Sequence, residues 1–399
     1  MAKIAILGYG TVGSGVYDVL TKNRDRVAAS TGETVDIKYV LDLRDFPGQP
    51  VEKVLVHDYE KIVSDPEVSV VVEVMGGLKP SYDFVMRALE AGKSVCTSNK
   101  ALVAEYGPEL LRTAEKNRVL FLFEAAVGGG IPIIRPLRDC LTADRIDRIA
   151  GILNGTTNYI LTRMAREGSS YQEVLKDAQR LGYAERDPSA DVDGWDACRK
   201  IAILASIVTG KQVRYQEIPT EGIAQISEED MRYAAEWKRK IKLIAEARFS
   251  DGAVSCHVAP AMLDDSSQLY YVDDVINGIY VHGDQVGDLL FTGAGAGKYP
   301  TASAVAGDVV ECVKSAGFPR QNLVFDGRQE LTPEDETETS AFLRIPQAAL
   351  DEARKCLTVE KEIHGVVPGE VGVAVSAMRL GDLKEAAKKL SAVKMIRMA

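Results

Sequence analysis

The first fifteen residues combine an apolar run with a glycine pattern. Ile4 to Leu7 form the run, and Gly8, Gly10 and Gly13 follow it in G-x-G-x-x-G spacing. The stretch from Val12 to Leu20 is amphipathic, so the order is buried strand, turn and helix. Gly8 permits a tight turn, Gly10 lets backbone approach a pyrophosphate, and Gly13 lets helix and strand pack closely. The pattern predicts dinucleotide binding, with a merely structural glycine turn as the alternative.

Composition is typical of a globular protein and excludes some classes of binding partner. The chain has 399 residues, which at roughly 150 residues per domain predicts two or three domains. Its net charge is -10 and no long basic run occurs, so nucleic acid is not an expected partner. Apolar runs stay short of the roughly 20 residues that span a membrane, and no signal-peptide pattern precedes the first strand. The six scattered cysteines are typical of free thiols, so we expect a cytoplasmic protein.

Strand and helix patterns alternate over the first third of the chain. Strands are predicted at residues 36–41, 68–74, 94–97 and 119–123, with a helix at 81–91. The run 68–74 is rich in valine, which is typical of a buried parallel strand. This alternation predicts an α/β protein with a doubly wound parallel sheet, as a Rossmann-type domain over residues 1–131. Gly128 to Pro132 interrupts the alternation and marks the boundary.

The middle of the chain changes to helices followed by strands, which predicts an α+β domain over residues 132–294. Helices are predicted at residues 159–167, 171–181, 195–208 and 231–248, and strands at 146–153, 254–258, 269–272, 278–282 and 285–291. The helix at 231–248 is expected to turn a Lys/Arg face to solvent. A helix at 302–315 belongs to a segment, 295–331, that we expect to return to the nucleotide-binding domain.

The tail, residues 336–399, has a pattern of its own. Its predicted elements are a strand (340–345), a helix (347–355), two strands (358–364 and 371–378), a helix (383–390) and a strand (394–397). This βαββαβ order predicts a ferredoxin-like domain. The acidic stretch from Thr332 to Glu338 is typical of a linker, so we expect few contacts between the tail and the rest of the chain.

The densest group of charged residues lies between Gly182 and Lys200. Asp196 and Lys200 are four residues apart, so they share a face of the predicted helix and can pair. An exposed ion pair is one interpretation. The helix is apolar on most sides, so we expect the pair to be partly buried, and buried paired charges are candidate catalytic groups.

Two shorter segments follow predicted strands. Thr97-Ser98-Asn99-Lys100 comes at the carboxyl end of a strand, where open α/β sheets bind ligands. Lys100 therefore either faces a ligand or is a surface lysine that opens a helix. Asn154-Gly155-Thr156-Thr157 opens another helix, and it either caps that helix or binds the carboxylate of a small substrate.

Two other patterns carry less chemistry. The segment from Gly293 to Lys298 fails the phosphate-loop spacing, because Thr292 and Tyr299 stand where a Gly and a Ser or Thr belong. The four histidines show no H-x-x-x-H pair, so we interpret them as structural and expect no zinc site.

Taken together, these motifs resemble those of the homoserine dehydrogenases. The matching stretches are Gly8–Gly13, Ser98–Lys100, Glu124–Pro132, Gly151–Ile160, Gly182–Lys200 and Gly293–Ala304, in the family's order over about residues 1–325. The resemblance implies interconversion of L-aspartate 4-semialdehyde and L-homoserine with NADP or NAD. It also implies a homodimer or homotetramer joined through the middle domain, which would bind substrate and carry the catalytic groups.

The resemblance implies roles for single residues. Lys200 would donate a proton, with Asp196 as its partner and Lys100 close to nicotinamide and substrate. Substrate contacts would come from Glu185, Asp196, Asp191 and Thr156. Coenzyme contacts would come from Gly8, Gly10, Thr11, Val12, Gly13, Arg44, Ser98, Lys100, Gly182 and Gly297. A sodium-like cation would lie near Glu124, held by the backbone carbonyls of Val127, Gly129 and Ile131.

Two features differ from the usual family pattern. After the second strand, Asp42 favours a free ribose 2′-hydroxyl and Arg44 favours a 2′-phosphate, so the coenzyme preference stays open. The tail resembles a short ACT domain, but Ile345 to Ala348 lacks the Asp-x-Pro-Gly type turn that holds an amino-acid effector, so we expect weak or no inhibition by threonine. The alternatives are another amino-acid-pathway oxidoreductase, such as an aspartate dehydrogenase, or a non-catalytic sensor.

Overall fold

The computed structural model describes residues 1–316 and 322–399, so part of the segment 295–331 lies outside the described residues. The chain divides into two units. The first unit comprises residues 1–143, 202–214 and 293–329, and the second comprises residues 144–201, 215–292 and 330–399. Among the described helices, none combines the length and the apolar character that crossing a bilayer requires.

A parallel sheet forms the centre of the first unit. Its strands are β1 (Ala2–Leu7), β2 (Val35–Leu41), β3 (Leu55–Val56), β4 (Val68–Glu73), β5 (Ser94–Thr97) and β6 (Phe121–Leu122), and the accompanying helices are α1 (Thr11–Lys22), α2 (Arg24–Thr31), α3 (Glu60–Val63), α4 (Ser81–Glu90), α5 (Lys100–Lys116) and α6 (Ala125–Gly128). The strands lie parallel in the order β3-β2-β1-β4-β5-β6. This order confirms the doubly wound sheet, whose carboxyl ends meet at one edge.

The following part of the chain begins with one strand, continues with helices and then supplies long antiparallel strands. Its elements are β7 (Ile146–Ile152), α7 (Gly155–Glu167), α8 (Tyr171–Arg180), α9 (Ser189–Val192), α10 (Trp195–Thr209), α11 (Glu228–Glu236), β8 (Lys240–Ser250), β9 (Ala253–Leu263), β10 (Ile276–Gly283), β11 (Gly287–Ala294) and α12 (Lys298–Lys314). Within the first unit, α12 contributes Val305 and Val309 to the apolar cluster that contains Ile4 and Ile6 of β1.

The tail has the predicted βαββαβ order. Its elements are β12 (Glu338–Pro346), α13 (Leu350–Cys356), β13 (Val359–Ile363), β14 (Glu370–Arg379), α14 (Leu380–Lys389) and β15 (Lys394–Met398). These strands continue the second unit's sheet, which has the order β11-β10-β7-β8-β9-β15-β12-β14-β13. The tail is therefore part of a larger sheet rather than a sheet by itself.

Two predictions of local structure are wrong. The predicted helix at 231–248 ends at Glu236, and a strand begins at Lys240. Lys238 has a φ of +56°, a left-handed conformation that ends the helix, and the new strand pairs with β7 and β9. The predicted strand at 269–272 is a 3-10 helix over Gln268–Tyr271, because its backbone hydrogen bonds are local.

The expectation of few contacts across the acidic linker is also wrong. The Thr332 N–H donates to the Val254 carbonyl on β9, 2.8 Å away. Further along, Arg397 and Met398 of β15 pair in parallel with β9. Two strands brought together from distant parts of the chain thus join the tail to the middle of the sheet.

Candidate active site

The turn after β1 gives each glycine of the G-x-G-x-x-G pattern a separate structural reason. Gly8 has a φ of +94° and donates its N–H to the Leu41 carbonyl, 2.8 Å away. A Cβ on Gly13 would lie 1.9 Å from the Gly8 carbonyl oxygen, so glycine is needed for α1 to approach the turn. Apart from Gly10 and its two chain neighbours, no described residue has a heavy atom within 4 Å of where a Cβ on Gly10 would be. The backbone at Gly10 therefore has the open space that a pyrophosphate needs.

Helix α1 begins at Thr11, directly after this turn. The Ser14 N–H donates to the Gly10 carbonyl, so the preceding N–H groups, from Thr11 to Gly13, have no carbonyl within the helix to bond. The positive end of the helix dipole lies at the same place. Thr11, Val12 and the glycines thus fit the phosphates of a dinucleotide coenzyme.

The loop after β2 carries a carboxylate that an arginine covers. Arg44 donates from Nε to one oxygen of Asp42 and from Nη2 to the other, both at 2.9 Å. The Tyr9 N–H donates to the same carboxylate at 2.7 Å. The Arg44 guanidinium holds the pKa of the Asp42 carboxyl well below its usual range. Since the Arg44 side chain is 62% exposed and Asp42 is 9% exposed, the guanidinium rather than the Asp42 carboxylate is accessible to a ligand.

A buried carboxylate at the carboxyl edge of this sheet was not among the predicted site residues. Glu73, the last residue of β4, is fully buried, and it accepts from the Thr97 hydroxyl at 2.7 Å. The Thr97 hydroxyl oxygen accepts from the Asn99 N–H at 2.9 Å, and Asn99 caps α5, whose first residue is Lys100. Ser98 and Lys100 therefore lie at the start of α5, which Glu73 holds through Thr97. The sequence signal is a charged residue that ends a valine-rich strand.

In the second unit, Lys200 and Asp196 of α10 form a buried ion pair. The Lys200 Nζ lies 2.8 Å from Asp196 Oδ2 and 2.7 Å from the Leu153 carbonyl oxygen, just after β7. The two side chains are 8% and 5% exposed. The burial predicted for this pair is confirmed, and two acceptors from different elements orient the ammonium.

Asn154 joins this pair to the start of α7. Its Nδ2 donates to Asp191 Oδ1 at 2.8 Å and to Asp196 Oδ2 at 2.9 Å. Its Oδ1 accepts from the Thr157 N–H at 2.8 Å, so Asn154 also caps the helix. One buried amide thus gathers the two carboxylates beside Lys200, a role that was not predicted for it.

The remaining predicted substrate residues lie in or near the segment after α8, residues 181–185. The Thr156 hydroxyl donates to the Tyr183 carbonyl at 2.6 Å, so the start of α7 holds this segment. Gly182, with a φ of +77°, follows the end of α8, and its N–H donates to the Gln179 carbonyl. Glu185 is exposed, and its backbone carbonyl accepts from the Gln179 side chain. The structure therefore brings Thr156 to this segment and leaves the Glu185 carboxylate at the surface.

Glu124 is a buried carboxylate that closes the turn after β6. One oxygen accepts the N–H groups of Ile133 and Ile134 at 2.7 and 2.8 Å, and the other accepts that of Arg135 at 2.8 Å. The Glu124 N–H donates to Asp308, and burial raises the pKa of the Asp308 carboxyl to about 7. Within residues 1–316 and 322–399, no three His, Cys, Asp or Glu side chains gather as metal ligands. The turn carries the three carbonyls predicted for the cation: Val127, Gly129 and Ile131.

Two glycine-rich segments of the first unit pack against each other. The Gly130 N–H donates to the Ala294 carbonyl at 3.0 Å. A Cβ on Gly129 would lie 2.2 Å from the Gly295 carbonyl oxygen, so the two backbones are in direct contact. Gly297 has a φ of +121° and caps α12. Close packing accounts for these glycines, and a coenzyme contact of Gly297 stays a prediction.

The two units offer different chemistry. The first unit has a glycine turn, a free helix N-terminus and an exposed guanidinium, which suit the phosphates and ribose of a dinucleotide. The second unit has a buried ammonium group that a carboxylate orients. Such an ammonium can polarise a carbonyl oxygen and protonate it.

Comparison with protein families gives two matches that together span most of the chain. The model of the homoserine dehydrogenase NAD-binding domain matches residues 8–124, and the homoserine dehydrogenase model matches residues 132–310. Homoserine dehydrogenase of a Synechocystis species is 47% identical over 332 residues, which is 81% of this chain and 76% of the relative. The Bacillus subtilis homoserine dehydrogenase is 42% identical over 353 residues, which is 86% of this chain and 81% of the relative.

Solved structures give the same result. The homoserine dehydrogenase of Thiobacillus denitrificans matches with a TM-score of 0.93 and 33% identity, covering 100% of this chain and 98% of that one. A hyperthermophilic archaeal homoserine dehydrogenase in complex with NADPH matches with a TM-score of 0.69 and 27% identity, covering 80% of this chain and 99% of that one. The chain therefore belongs to the homoserine dehydrogenase family of NAD(P)-binding oxidoreductases.

Proposed function

We propose that Lys200 is the proton donor when this chain reduces L-aspartate 4-semialdehyde to L-homoserine. The coenzyme, when bound, supplies the hydride. The Lys200 ammonium polarises the aldehyde oxygen and protonates the alkoxide that hydride addition produces. The observation that carries this proposal is the contact of Lys200 Nζ with both Asp196 and the Leu153 carbonyl. These acceptors favour the charged ammonium and restrict its position.

We infer that the start of α7 and the segment after α8 hold the amino-acid end of the substrate. The first N–H groups of α7, that of Thr156 among them, suit the α-carboxylate, since a helix N-terminus favours an anion. Glu185 suits the α-ammonium group, because its carboxylate is exposed and therefore available. Asp191 and Asp196, which Asn154 holds together, add negative charge that favours the same cation.

We infer that Lys100 contacts nicotinamide and substrate, and that the coenzyme is preferably NADP. Arg44 engages both oxygens of Asp42, which would otherwise accept a ribose 2′-hydroxyl. A 2′-phosphate would gain charge-assisted hydrogen bonds from the same guanidinium. The archaeal relative solved with NADPH supports this preference. Ser98, Gly182 and Gly297 complete the proposed coenzyme contacts.

We also infer a monovalent cation beside Glu124, held by the predicted backbone carbonyls. Carboxylates outnumber guanidinium groups here, because Glu124, Asp308 and Glu311 lie around Arg135 and Arg138. A bound cation would offset this surplus of negative charge.

We expect a homodimer or homotetramer in the cytoplasm. Tyr271, Val275 and Ile276 expose apolar side chains within one short segment of the second unit, which supports association through that unit. All six cysteines are free thiols, as is usual in a reducing compartment.

The test of the catalytic proposal is steady-state oxidation of homoserine with NADP+, which should proceed without release of ammonia, whereas an aspartate dehydrogenase releases ammonia when it oxidises its substrate. Lys200→Arg keeps the charge beside Asp196, but a guanidinium does not release its proton, so kcat is expected to fall by roughly 10²–10⁴-fold. Lys200→Met should behave similarly. Lys176→Ala, which removes an exposed lysine of α8, is the control and should leave kcat unchanged. A folded Lys200→Arg enzyme with the parental kcat would exclude the proposed role.

The same assay tests the substrate contact. Glu185→Ala should raise the KM for homoserine and leave the KM for NADP+ unchanged, because its proposed partner is the substrate ammonium. The opposite pattern would assign Glu185 to the coenzyme.

A further inference from the structure

Glu73 bonds to two separate loops at the carboxyl edge of the parallel sheet. Its Oε2 accepts from the Thr97 hydroxyl at 2.7 Å. Its Oε1 accepts from the N–H groups of Met75 and Gly76 at 2.9 and 3.2 Å. The side chain is fully buried, so these three donors replace the water that a carboxylate would otherwise bind.

The Thr97 side leads to Lys100. The Thr97 hydroxyl oxygen accepts from the Asn99 N–H at 2.9 Å. The Asn99 side chain accepts from the Leu102 N–H at 3.2 Å and so caps α5 at its first turn. Lys100 is the first residue of that helix, so the direction in which its side chain leaves the backbone depends on this cap.

The other side leads to the glycine turn. Met75 packs directly on Gly8, because a Cβ on Gly8 would lie 3.0 Å from the Met75 Cγ and 3.2 Å from its Cα. The loop after Met75 is tied back to the Thr97–Lys100 loop by the Asn99 amide, which donates to the Gly77 carbonyl at 2.6 Å. One carboxylate therefore sets the spacing of the two loops and supports the turn that fits a pyrophosphate.

We propose that Glu73 is a positioning residue for the reaction, acting through Thr97 and Asn99 on Lys100. This inference rests on the proposed role of Lys100. A carboxylate is required because it accepts from all three donors through two oxygens. A glutamine has one acceptor oxygen, and its NH2 group would face the Thr97 hydroxyl, which would lose the partner to which it donates.

The first test is the kinetics of Thr97→Val, which removes the hydroxyl and keeps the shape of the side chain. We expect kcat for homoserine oxidation to fall by about 10- to 100-fold, as small displacements of a reacting group do, while the dissociation constant for NADP+ stays within about twofold. Thr97→Ser restores the hydroxyl and should restore kcat. Glu73→Gln, which disturbs both loops, should lower kcat and also weaken NADP+ binding. Glu67→Gln makes the same chemical change just before β4, at the opposite end of the strand, and should change neither quantity.

A double-mutant cycle separates positioning from general stability. If Thr97 acts through Lys100, Thr97→Val should lower kcat in the parental enzyme and have no further effect on kcat in a Lys100→Ala background. A purely structural role predicts the same loss in both backgrounds, and that result would overturn the proposal. A parental kcat for Thr97→Val would overturn it as well. If Lys100→Ala itself has the parental kcat, the proposed role of Lys100 is wrong. That result distinguishes a failure of the Lys100 proposal from a failure of the positioning proposal.

Discussion

At the scale of single residues, burial beside a carboxylate does not by itself distinguish a catalytic lysine from a structural one. The predicted helix at 231–248 would place Lys242 on a solvated face, whereas the structure buries it almost completely. Burial lowers the pKa of Lys242, and Asp273, the Val272 carbonyl and the Asn158 side chain accept its hydrogen bonds. Lys242 thus resembles Lys200 in being a buried ammonium with a carboxylate partner, but it serves to join β8 to its neighbours.

At the same scale, we expect the exposed guanidinium of Arg44 to set the coenzyme preference. Arg44→Ala should lower kcat/KM for NADP+ by about 10- to 100-fold, which is the effect of losing a hydrogen bond to a charged group. The value for NAD+ should fall less or rise, because Asp42 becomes available to a 2′-hydroxyl. Arg26→Ala, which removes an exposed arginine of α2, serves as the control. An equal loss with both coenzymes would show that Arg44 stabilises the loop rather than selecting the phosphate.

At the scale of elements, pairing with neighbours overrides the local pattern. Helix α11 is capped by Ser227 and Asp230, whose side chains and backbones form reciprocal hydrogen bonds, so the sequence indicates where this helix begins. Its end is not, because the residues after Lys238 have apolar positions that suit either a helix or a strand. They form β8, since β7 and β9 lie on either side and supply its hydrogen bonds.

The contact of β8, β9 and β15 predicts a pH dependence of stability. Burial, with the Arg397 guanidinium as a second cause, lowers the pKa of His257 to about 4, and Arg248 acts in the same direction while Glu246 and Glu334 oppose it. An unfolded histidine has a pKa of about 6.5, so between these values the unfolded chain binds more protons. The contribution of His257 to the free energy of unfolding should therefore fall, by about 3 kcal/mol at most, as the pH drops from 6.5 to 4.

Denaturant unfolding at several pH values measures this effect. His257→Gln cannot titrate, so the difference in free energy of unfolding between the parental chain and this variant should change by that amount across the window. Groups that both chains share, such as Asp308 with its raised pKa, cancel in this difference. His364→Gln is the matched control, since His364 is exposed. An unchanged pH dependence in His257→Gln would assign the effect to other groups.

At the scale of the whole molecule, the tail is built into the second unit. Arg344 of β12 donates to Asp230 of α11 at 2.7 Å, and both side chains are buried. The Tyr233 and Phe342 rings lie 5.4 Å apart, between the same two elements. The tail therefore contributes to the core of this unit, contrary to the linker prediction.

Removal of residues 336–399 should accordingly destabilise the enzyme. It would uncover Tyr233, open the β9 edge and leave Asp230 without its guanidinium. Thermal unfolding should show a lower midpoint for the truncated chain. Arg344→Met, which removes one partner of the buried pair, should cost about 3–5 kcal/mol by itself. A truncated chain that unfolds at the parental temperature would show that the tail does not stabilise the second unit.

The sequence by itself determined the features that depend on neighbours along the chain. The glycine turn, the Asp196–Lys200 pair, the parallel sheet of the alternating first third and the βαββαβ tail all follow from spacing over a few residues or from simple alternation. Asp196 and Lys200 could be identified as catalytic candidates for the same reason, since a spacing of four residues places two side chains on one face of a helix.

Only the tertiary structure decided which distant groups meet. Asn154 bonds to carboxylates 37 and 42 residues away, and Glu73 bonds to a hydroxyl 24 residues away. The β8 strand and the β15–β9 pairing likewise depend on neighbouring strands that a local sequence pattern does not predict. Buried polar groups and strand edges must find partners during packing, and which partner is within reach is set by the fold as a whole.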